Sequence, residues 1–547
     1  MAYNQPAHGG AADDYYTNGT QQQDITVQQQ QQRYIDPEQK QPQQYPPPQG
    51  YPPPQQGYAP QGALPPQYTP QPNYGNDKQD FTQTFQVNKP KWNDLWAAIL
   101  FAAVFAGFTA VSAISIYGYS HTKAQQGGGI YNNTAQAVGL NTNTIILFAF
   151  VLAIAFFLSA AYFWIIRAFT KQAIWITGIL QIVFGLGTAI IYLARGYYSA
   201  GIVYLIFVAF YIFCFISWIP RIPFSVLMLQ TVIDVSKNYG HVFVVSLLGG
   251  LLATAYAAWF SVTLVAIYAK YEPGSAACTA GGGNCSTAKV IGLIVFVTFA
   301  GYWISEVIKT VIHVSISGVY GSWYFCSQKA GGFPKGATRG AFKRSVTYSF
   351  GSISFGSLLV AIVQCLRQAC SIAQQTEAAQ GNIIGSIMFC VLGCFIGILD
   401  WAIQFINEYA FSYIALYGKA YVPAAKETWR MMKDRGVDAL VNECLINPVL
   451  TMGAVFVAYV CSFLAYLYIT FTAPAYNSTG GFTPVVMAFA FVIGLQICNI
   501  FLVPIKSGVS TFFVAMAFDP EVLMNDYPDL YQRMIQVYPH VQQMIHA

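Results

Sequence analysis

The sequence predicts an all-α polytopic membrane protein with about ten transmembrane helices and a disordered N-terminal tail. Of its 547 residues, 55% are hydrophobic and only 9% are charged, whereas soluble domains carry roughly 25% charged residues. The mean hydropathy is +0.43, although the first ninety residues are polar. Ten stretches are long and apolar enough to cross a hydrocarbon layer of roughly 30 Å as helices. These observations exclude a soluble globule, a coiled coil and a small disulfide scaffold.

The predicted helices are bounded by polar loops. The sixth apolar stretch continues as far as Phe325, which predicts a helix that projects past the bilayer. An eleventh stretch, 507–518, is too short to span and either continues the tenth helix or lies at the interface. We therefore divide the chain into a cytoplasmic tail (1–90), a ten-helix transmembrane domain (91–506) and a cytoplasmic C-terminal segment (507–547). The ten helices are expected near 95–117, 143–166, 172–193, 199–219, 241–268, 289–316, 346–366, 383–406, 446–469 and 484–505.

The tail is rich in glutamine and proline. Residues 1–90 contain 22 Gln and 15 Pro, so they offer too little apolar surface to offset the entropy of ordering. We expect this segment to be disordered. The sequence Pro-Pro-Gln-Tyr from Pro65 to Tyr68 is a PPxY pattern, which WW domains bind in an aromatic groove. A tract this rich in proline, glutamine and tyrosine favours a chance match, and the alternative is recruitment of a WW-domain ubiquitin ligase.

Lysine and arginine are distributed unequally between the predicted loops. The loops on the tail's side of the bilayer carry 14 of them, and the loops on the other side carry only a few. Because cytoplasmic loops of membrane proteins are enriched in basic residues, we expect both termini in the cytoplasm.

Features of the outer loops agree with this orientation. Glycosylation sequons begin at Asn132, Asn284 and Asn477, and all three fall in predicted outer loops, where glycans are attached. Cys278 and Cys285 share one of these loops, and an oxidising environment favours a disulfide between them. Two free thiols are the alternative.

Few ionisable residues lie inside the predicted spans. Glu306, Lys309 and His313 follow one another in the sixth span at helical spacing, and Asp400 lies in the eighth. Such groups are costly in a bilayer unless they are paired or face water. One interpretation is an ion pair between Glu306 and Lys309 that fastens two helices together. The other is a transport path in which Glu306 or Asp400 supplies the counter-charge for an organic cation, with Lys309 and His313 in gating or coupling.

Aromatic residues accompany these charges. Tyr302, Trp303 and Trp401 are candidates for caging a quaternary ammonium by cation–π attraction. The alternative is that these side chains mark the membrane interface, where aromatic residues also gather.

The start of the seventh span contains a dense cluster of glycine and serine. Gly351 and Gly356 flank the sequence Ser-Ile-Ser-Phe, and serine side chains can satisfy backbone groups that a helix break releases. This pattern predicts a bend or a gate, with close helix packing as the alternative.

The chain carries no motif typical of enzymes. It has no nucleophile elbow, no phosphate-binding loop and no zinc-protease motif, so neither catalysis nor ATP hydrolysis is expected. His313 is the one histidine well inside a span, and the sequence therefore predicts no metal and no other cofactor.

Two longer motifs resemble the choline transporter-like family, in its fungal branch of pH-nine-sensitive proteins. The motifs are GSISFGSLL at 351–359 and YIALYGKAYVPAAKETW at 413–429. Supporting pieces are the stretch from Trp303 to Trp323 and the sequence Phe-Asp-Pro-Glu at 518–521. The resemblance implies ten membrane helices, cytoplasmic termini, glycosylated outer loops and transport of choline or related amines.

We accordingly expect a multi-pass plasma-membrane transporter of a small organic solute, such as choline or a similar organic cation. It would work by alternating access, without ATP hydrolysis. The alternative is a membrane scaffold or stress-related organiser that does not transport and that acts through its tail.

Overall fold

The structure is a computed structural model, and it describes residues 91–121, 142–194, 196, 198–239, 241–271, 286–329, 332–434, 444–474, 477 and 483–539. The tail, including the PPxY sequence, lies outside these residues. The described residues form helices and the loops between them, with no strand among them. Ten helices have the length and apolar composition needed to cross a membrane. The all-α polytopic class is therefore confirmed.

The helices are numbered in chain order. The membrane-spanning helices are α1 (Leu95–His121), α2 (Thr142–Ala168), α3 (Thr170–Ala194), α4 (Tyr198–Trp218), α6 (Val242–Tyr271), α7 (Thr287–Cys326), α9 (Phe350–Ala379), α10 (Ile383–Tyr417), α12 (Ile446–Thr472) and α13 (Thr483–Phe518). The shorter helices are α5 (Ile222–Asn238), α8 (Ala337–Ser345), α11 (Tyr421–Asp434), α14 (Pro520–Asp526) and α15 (Pro528–Val537), and a 3-10 turn covers Ile219–Arg221.

Two long helices lie at the centre of the bundle. Helix α7 packs against α6, α9, α10 and α13, and α13 packs in addition against α2 and α12. Helices α3 and α4 form a pair at the edge of the bundle. Small side chains allow the close approach at the centre, where Ser412 of α10 contacts Ser510 of α13 at 3.0 Å between hydroxyl oxygens. Small residues have this role in many membrane helix pairs.

Helix α7 is longer than a bilayer is thick. It contains 40 residues, which at a rise of roughly 1.5 Å per residue make about 60 Å. Its first turn is capped by Ser286, whose hydroxyl accepts a hydrogen bond from the backbone N–H of Lys289 at 3.2 Å. The helix continues through Phe325 to Cys326, and its projection beyond the membrane stays a prediction.

Helix α13 joins the last two apolar stretches of the sequence. It runs from Thr483 to Phe518 with Pro504 inside it, so the boundary that we set between residues 506 and 507 falls within one continuous helix. The stretch 507–518 continues the tenth span, which is one of the two alternatives that the sequence left open. Its side chains are almost entirely buried, because they pack between α7 and α10.

One segment that the sequence analysis treated as a loop is helical. Residues 220–240 contain α5, in which Phe224, Met228 and Leu229 are buried in the main core of the bundle. This helix lies at the end of the bundle where α1 begins, which we call the tail-side end. Its mixed polar composition hid it from a search for membrane spans, since only one of its faces is buried.

Candidate functional site

A cavity of about 730 Å³ lies inside the bundle, between mid-depth and the tail-side end. Its wall comes from α4, α7, α9, α10, α12 and α13. The cavity collects most of the ionisable residues that the spans contain. The charged residues on its wall are Arg221, Glu306, Lys309, Arg367, Asp400, Glu408 and Lys506.

The predicted charge cluster of the sixth span faces this cavity. Glu306, Lys309 and His313 all line it, because spacings of three and four place them on one face of α7. The Lys309 ammonium lies 3.1 Å from a Glu306 carboxylate oxygen. The Glu306 side chain is only 8% exposed, and that of Lys309 is 34% exposed. The pairing that the sequence analysis considered is therefore present, and it lies on the cavity wall.

Asp400 is also paired with a cation. One of its carboxylate oxygens lies 3.5 Å from the Arg367 guanidinium of α9. The other accepts a hydrogen bond from the Gln404 side-chain amide at 2.8 Å. The Arg367 side chain is 63% exposed, so the pair closes one end of the cavity without being sealed from its surroundings.

The third carboxylate of the cavity is held differently. The Asn447 side-chain amide lies 3.1 Å from one Glu408 carboxylate oxygen and 3.0 Å from the other. No cationic group of the described residues forms an ion pair with Glu408. The neutral Asn447 amide is therefore its hydrogen-bond donor, while Lys506 and Lys309 act on it as more distant positive charges.

Lys506 of α13 is the corresponding cation. Its ammonium lines the same cavity and forms no ion pair with any carboxylate of the described chain. The cavity therefore contains two ion pairs together with one carboxylate and one ammonium that remain separate. A charged ligand that enters the cavity meets both.

His313 links three helices at the cavity wall. Its Nε2 lies 3.1 Å from the Glu408 backbone carbonyl, which can only accept, so this nitrogen carries the hydrogen. Its Nδ1 then accepts a hydrogen bond from the Ser507 hydroxyl at 2.8 Å. The imidazole thereby joins α7 to α10 and α13.

The predicted aromatic cage is only partly assembled. Trp401 lines the cavity, is 66% exposed and stacks on Phe405 with ring centroids 5.5 Å apart. Trp303 is fully buried away from the cavity. Its indole N–H donates to the Ser354 carbonyl at 3.0 Å, and its ring meets Phe101 edge to face.

Tyr302 does not belong to the cavity wall either. Neither Tyr302 nor Trp303 therefore lines this cavity, and their contact with a substrate stays a prediction. Of the three predicted cage residues, Trp401 alone faces the cavity.

The two predicted gate glycines are packing positions at the start of α9. A Cβ atom at Gly351 would lie 2.2 Å from the Asn93 carbonyl oxygen. A Cβ atom at Gly356 would lie 2.5 Å from the Phe411 ring and 2.6 Å from the Tyr421 ring. Neither position tolerates a side chain unless its neighbours move. A gating role for them stays a prediction.

The predicted modifications lie mostly outside the described residues. Asn132, Asn284, Cys278 and Cys285 are not among them. Asn477 is described and lies between α12 and α13, where its side-chain amide donates to the Thr483 hydroxyl at 2.8 Å.

Metal binding was not expected from the sequence. In the part of the chain that the structure describes, no three His, Cys, Asp or Glu residues are grouped in a way that could hold a metal ion.

Glu408 lines the cavity but was not among the predicted site residues. Asp400, Gln404 and Glu408 recur every four residues, and this spacing places them on one stripe of a helix. The signal was overlooked because the predicted eighth span ended at residue 406, two residues short of Glu408. Its partner Asn447 is 39 residues away in sequence, so no local pattern predicts their contact.

The sequence is similar to those of proteins from one known family. Residues 202–521 match the family described as plasma-membrane choline transporter. Protein pns1 of Aspergillus fumigatus is 59% identical over 480 residues, which cover 87% of this chain and 89% of the relative. Protein PNS1 of Neurospora crassa is 57% identical over 476 residues, with 87% and 85% covered. Protein PNS1 of Saccharomyces cerevisiae is 45% identical over 458 residues, with 83% and 85% covered.

These matches confirm the resemblance that the two motifs suggested, and they agree with the ten apolar helices. They extend over most of the chain and most of each relative. The chain belongs to the plasma-membrane choline transporter family, a family of membrane transporters, in its fungal pH-nine-sensitive branch.

Proposed function

We propose that this protein carries choline or a similar small organic cation across the plasma membrane by alternating access, without ATP hydrolysis or any other catalytic step. The observation that carries the proposal is the Glu408 carboxylate. It lines the cavity and is held by the neutral amide of Asn447 at 3.0–3.1 Å instead of by a cation. A carboxylate in a membrane cavity that forms no ion pair attracts a positively charged ligand.

The other two carboxylates contribute less directly. Glu306 is paired with Lys309, and Asp400 with Arg367, so each already has its counter-charge. We propose that both also belong to the substrate site, with a smaller contribution than Glu408. Their negative charge reaches the substrate fully only when the ion pairs open during the transport cycle. Glu408 is the primary counter-charge in this proposal.

Aromatic rings support an ammonium ligand beside Glu408. Trp401 and Phe405 are stacked on the wall of the same cavity, on the same helix as Glu408. The electron-rich face of an indole or phenyl ring attracts a quaternary ammonium within about 6 Å. A methylated ammonium is also poorly hydrated, so an aromatic wall suits it better than a purely polar one.

Lys309, His313, Gly351 and Gly356 are proposed to act in gating or coupling. His313 bridges α7, α10 and α13 through the Glu408 carbonyl and Ser507. A change in the packing of any of these helices therefore displaces the backbone that carries Glu408. This arrangement couples helix movement to the binding site.

The orientation of the chain is part of the proposal. Both termini are placed in the cytoplasm, as the distribution of basic loops predicts. Asn132, Asn284 and Asn477 then face outward and are available for glycans, and Cys278 and Cys285 can form a disulfide. Treatment of the expressed protein with an endoglycosidase tests this, since the orientation requires a mobility shift that is lost when the asparagines are replaced.

The tail offers one further partner. The PPxY sequence from Pro65 to Tyr68 is proposed to bind a WW-domain ubiquitin ligase and so to shorten the lifetime of the protein at the cell surface. Replacing Tyr68 with alanine should lengthen that lifetime. An unchanged lifetime would reduce the sequence to a chance match.

The transport proposal is tested with purified protein in vesicles. Uptake of radiolabelled choline should exceed that of empty vesicles and should saturate. Unlabelled choline should compete, whereas 3,3-dimethylbutan-1-ol, its uncharged carbon analogue, should compete far more weakly. Equal competition would exclude recognition of the charge. Uptake no faster than in empty vesicles would instead favour the non-transporting scaffold, and deletion of the tail would then be expected to abolish its cellular role.

A further inference from the structure

The residues that join the tail to the first helix are built into the bundle. Asn93 and Asp94, which we call the clasp, come directly before α1. The Asn93 side-chain amide donates to the Gly418 carbonyl at 2.8 Å. One oxygen of the Asp94 carboxylate accepts from the Ser352 hydroxyl at 2.6 Å and from the Tyr421 backbone N–H at 2.9 Å. The clasp therefore connects α1 with the starts of α9 and α11 and with the end of α10.

These contacts explain the two motifs that carried the family resemblance. Ser352 belongs to the GSISFGSLL sequence, and Gly418 and Tyr421 belong to the YIALYGKAYVPAAKETW sequence. Gly418 ends α10 with a left-handed backbone, at a φ of +61°, which presents its carbonyl to Asn93. The motifs are far apart in the chain, and the clasp is where they meet.

The geometry of the clasp is tight. Asp94 has a φ of +50°, a left-handed conformation that costs a residue other than glycine energy unless contacts maintain it. The carbonyl oxygens of Asn93 and Asp94 lie so close to Gly351 that a Cβ atom there would come within 2.2 Å and 2.4 Å of them. The Asp94 carboxylate also meets the first N–H of α11, a group that no residue within that helix can satisfy.

Tyr421 relays this arrangement to the cavity. Its hydroxyl donates to the side-chain carbonyl of Asn407, and the Asn407 amide in turn donates to the Gly356 carbonyl at 3.0 Å. Asn407 lines the cavity and is the neighbour of Glu408 in the chain. Burial raises the pKa of Tyr421 to about 12, so its hydroxyl keeps its proton near neutral pH.

We propose that Asp94 is a positioning residue of the transport site, which acts through Tyr421 and Asn407 to fix the part of α10 that presents Glu408. The tail (1–90) ends four residues before Asp94, so the junction between the tail and the bundle supports the cavity wall. The proposal rests on the proposed function only for its effect on substrate, and its structural part is testable without any substrate.

The first arm of the test measures hydrogen exchange of the full-length purified protein. Asp94→Ala removes the acceptor for the Tyr421 N–H, so exchange in the peptide 418–424 should become about tenfold faster, as expected for one lost hydrogen bond. Asp94→Asn keeps an acceptor oxygen and tolerates the left-handed backbone, so it should stay close to wild type. Unchanged exchange in Asp94→Ala would show that the Asp94 carboxylate does not protect the Tyr421 N–H, and would overturn the proposal.

The second arm compares Asp94→Ala, Tyr421→Phe and the double variant by thermal unfolding in detergent. If the three residues act as one chain of contacts, the downward shift of the double variant should fall short of the two single shifts added together. Additive shifts of the unfolding midpoint would show that Asp94 and Tyr421 act independently, and would overturn the proposed chain of contacts. Neither arm requires transport, so both remain decisive if the protein does not carry choline.

The third arm uses choline uptake and separates positioning from general stability. Both single variants should raise the KM for choline several-fold while the maximal rate per folded protein changes little, and the double variant should not exceed the larger single effect. A KM that stays at the wild-type value in Asp94→Ala would contradict the positioning role. Absence of uptake by the wild-type protein would overturn the proposed function and, with it, the effect of the clasp on substrate.

Discussion

Replacing Glu408 with glutamine removes the charge that we place at the centre of the site and leaves its shape intact. The glutamine side chain keeps one oxygen that can accept from the Asn447 amide nitrogen, which now lies against both carboxylate oxygens. When the glutamine amide turns to pair with the Asn447 amide, its nitrogen can donate to the Asn447 side-chain oxygen, which is buried and has no hydrogen-bond partner. The variant is therefore expected to fold as well as the wild-type protein, and any loss of transport reports on the charge.

The size of the effect follows from the electrostatics of the cavity. An ammonium 4–5 Å from a carboxylate gains about 4 kcal/mol at an effective dielectric constant of roughly 20. Desolvation of both ions offsets part of this gain. A net loss of about 2–3 kcal/mol lies within the range measured for close charge pairs and corresponds to roughly 30- to 150-fold weaker binding.

The assay is radiolabelled choline uptake into vesicles over a concentration series, with Glu427→Gln as the control. Glu427 is also a glutamate near this end of the bundle, but it does not line the cavity and pairs with Arg430 at 3.5 Å. The KM should rise in Glu408→Gln and stay unchanged in the control. A KM within twofold of the wild-type value in Glu408→Gln would show that the Glu408 charge does not contribute to choline binding.

Replacing Lys506 should change the KM for choline in the opposite direction, and three further predictions test how side chains pack in the bundle. Lys506→Gln removes the repulsive ammonium from the cavity, so the KM for choline should fall several-fold; a rise would mean that Lys506 contacts the substrate favourably. Trp303→Phe removes a buried N–H donor and should lower the free energy of unfolding by about 1–3 kcal/mol, seen as a lower unfolding midpoint, with an unchanged KM. Gly453→Ala places a methyl group 1.6 Å from the Tyr162 hydroxyl oxygen and should destabilise by about 1–3 kcal/mol or more, whereas Gly393→Ala, which meets no atom within 4 Å, should not destabilise. Burial raises the pKa of the Tyr421 hydroxyl from 10.0 to about 12. Its contribution to stability is therefore complete below pH 10 and is lost as the pH rises toward 12. Between pH 10 and 12, the unfolding midpoint should fall more steeply in the wild-type protein than in Tyr421→Phe.

The ten membrane helices were predictable because apolar length is a local property of the chain. Each predicted span overlaps one observed helix, and the long helix through Phe325 was also anticipated. The pair of Glu306 and Lys309 followed from spacing alone, since residues three apart on a helix are neighbours. The rotation of α7, which directs Trp303 toward Phe101 and away from the cavity, was not predictable. Packing against other helices sets that rotation, and the apolar residues around Trp303 carry no periodicity that records it.

The site was less predictable than the fold because its decisive contacts join distant parts of the chain. Glu408 acquires its role from Asn447, which comes from another helix, and from the pairing of the other carboxylates. Asp94 lies 327 residues from its partner Tyr421, and nothing in the polar sequence around it indicates a structural role. The α5 helix was missed for a related reason. Its buried face packs against other helices, and its own composition is too polar to mark it as a membrane span.

An experimental structure of the purified protein with saturating choline would show whether the cavity beside Glu408 binds an organic cation. We expect density for the quaternary ammonium in the cavity, next to the Glu408 carboxylate and within about 6 Å of the Trp401 or Phe405 ring. The density should be lost in Glu408→Gln at the same concentration. An empty cavity at saturating choline, or choline bound at another place in the bundle, would mean that this cavity is not the binding site.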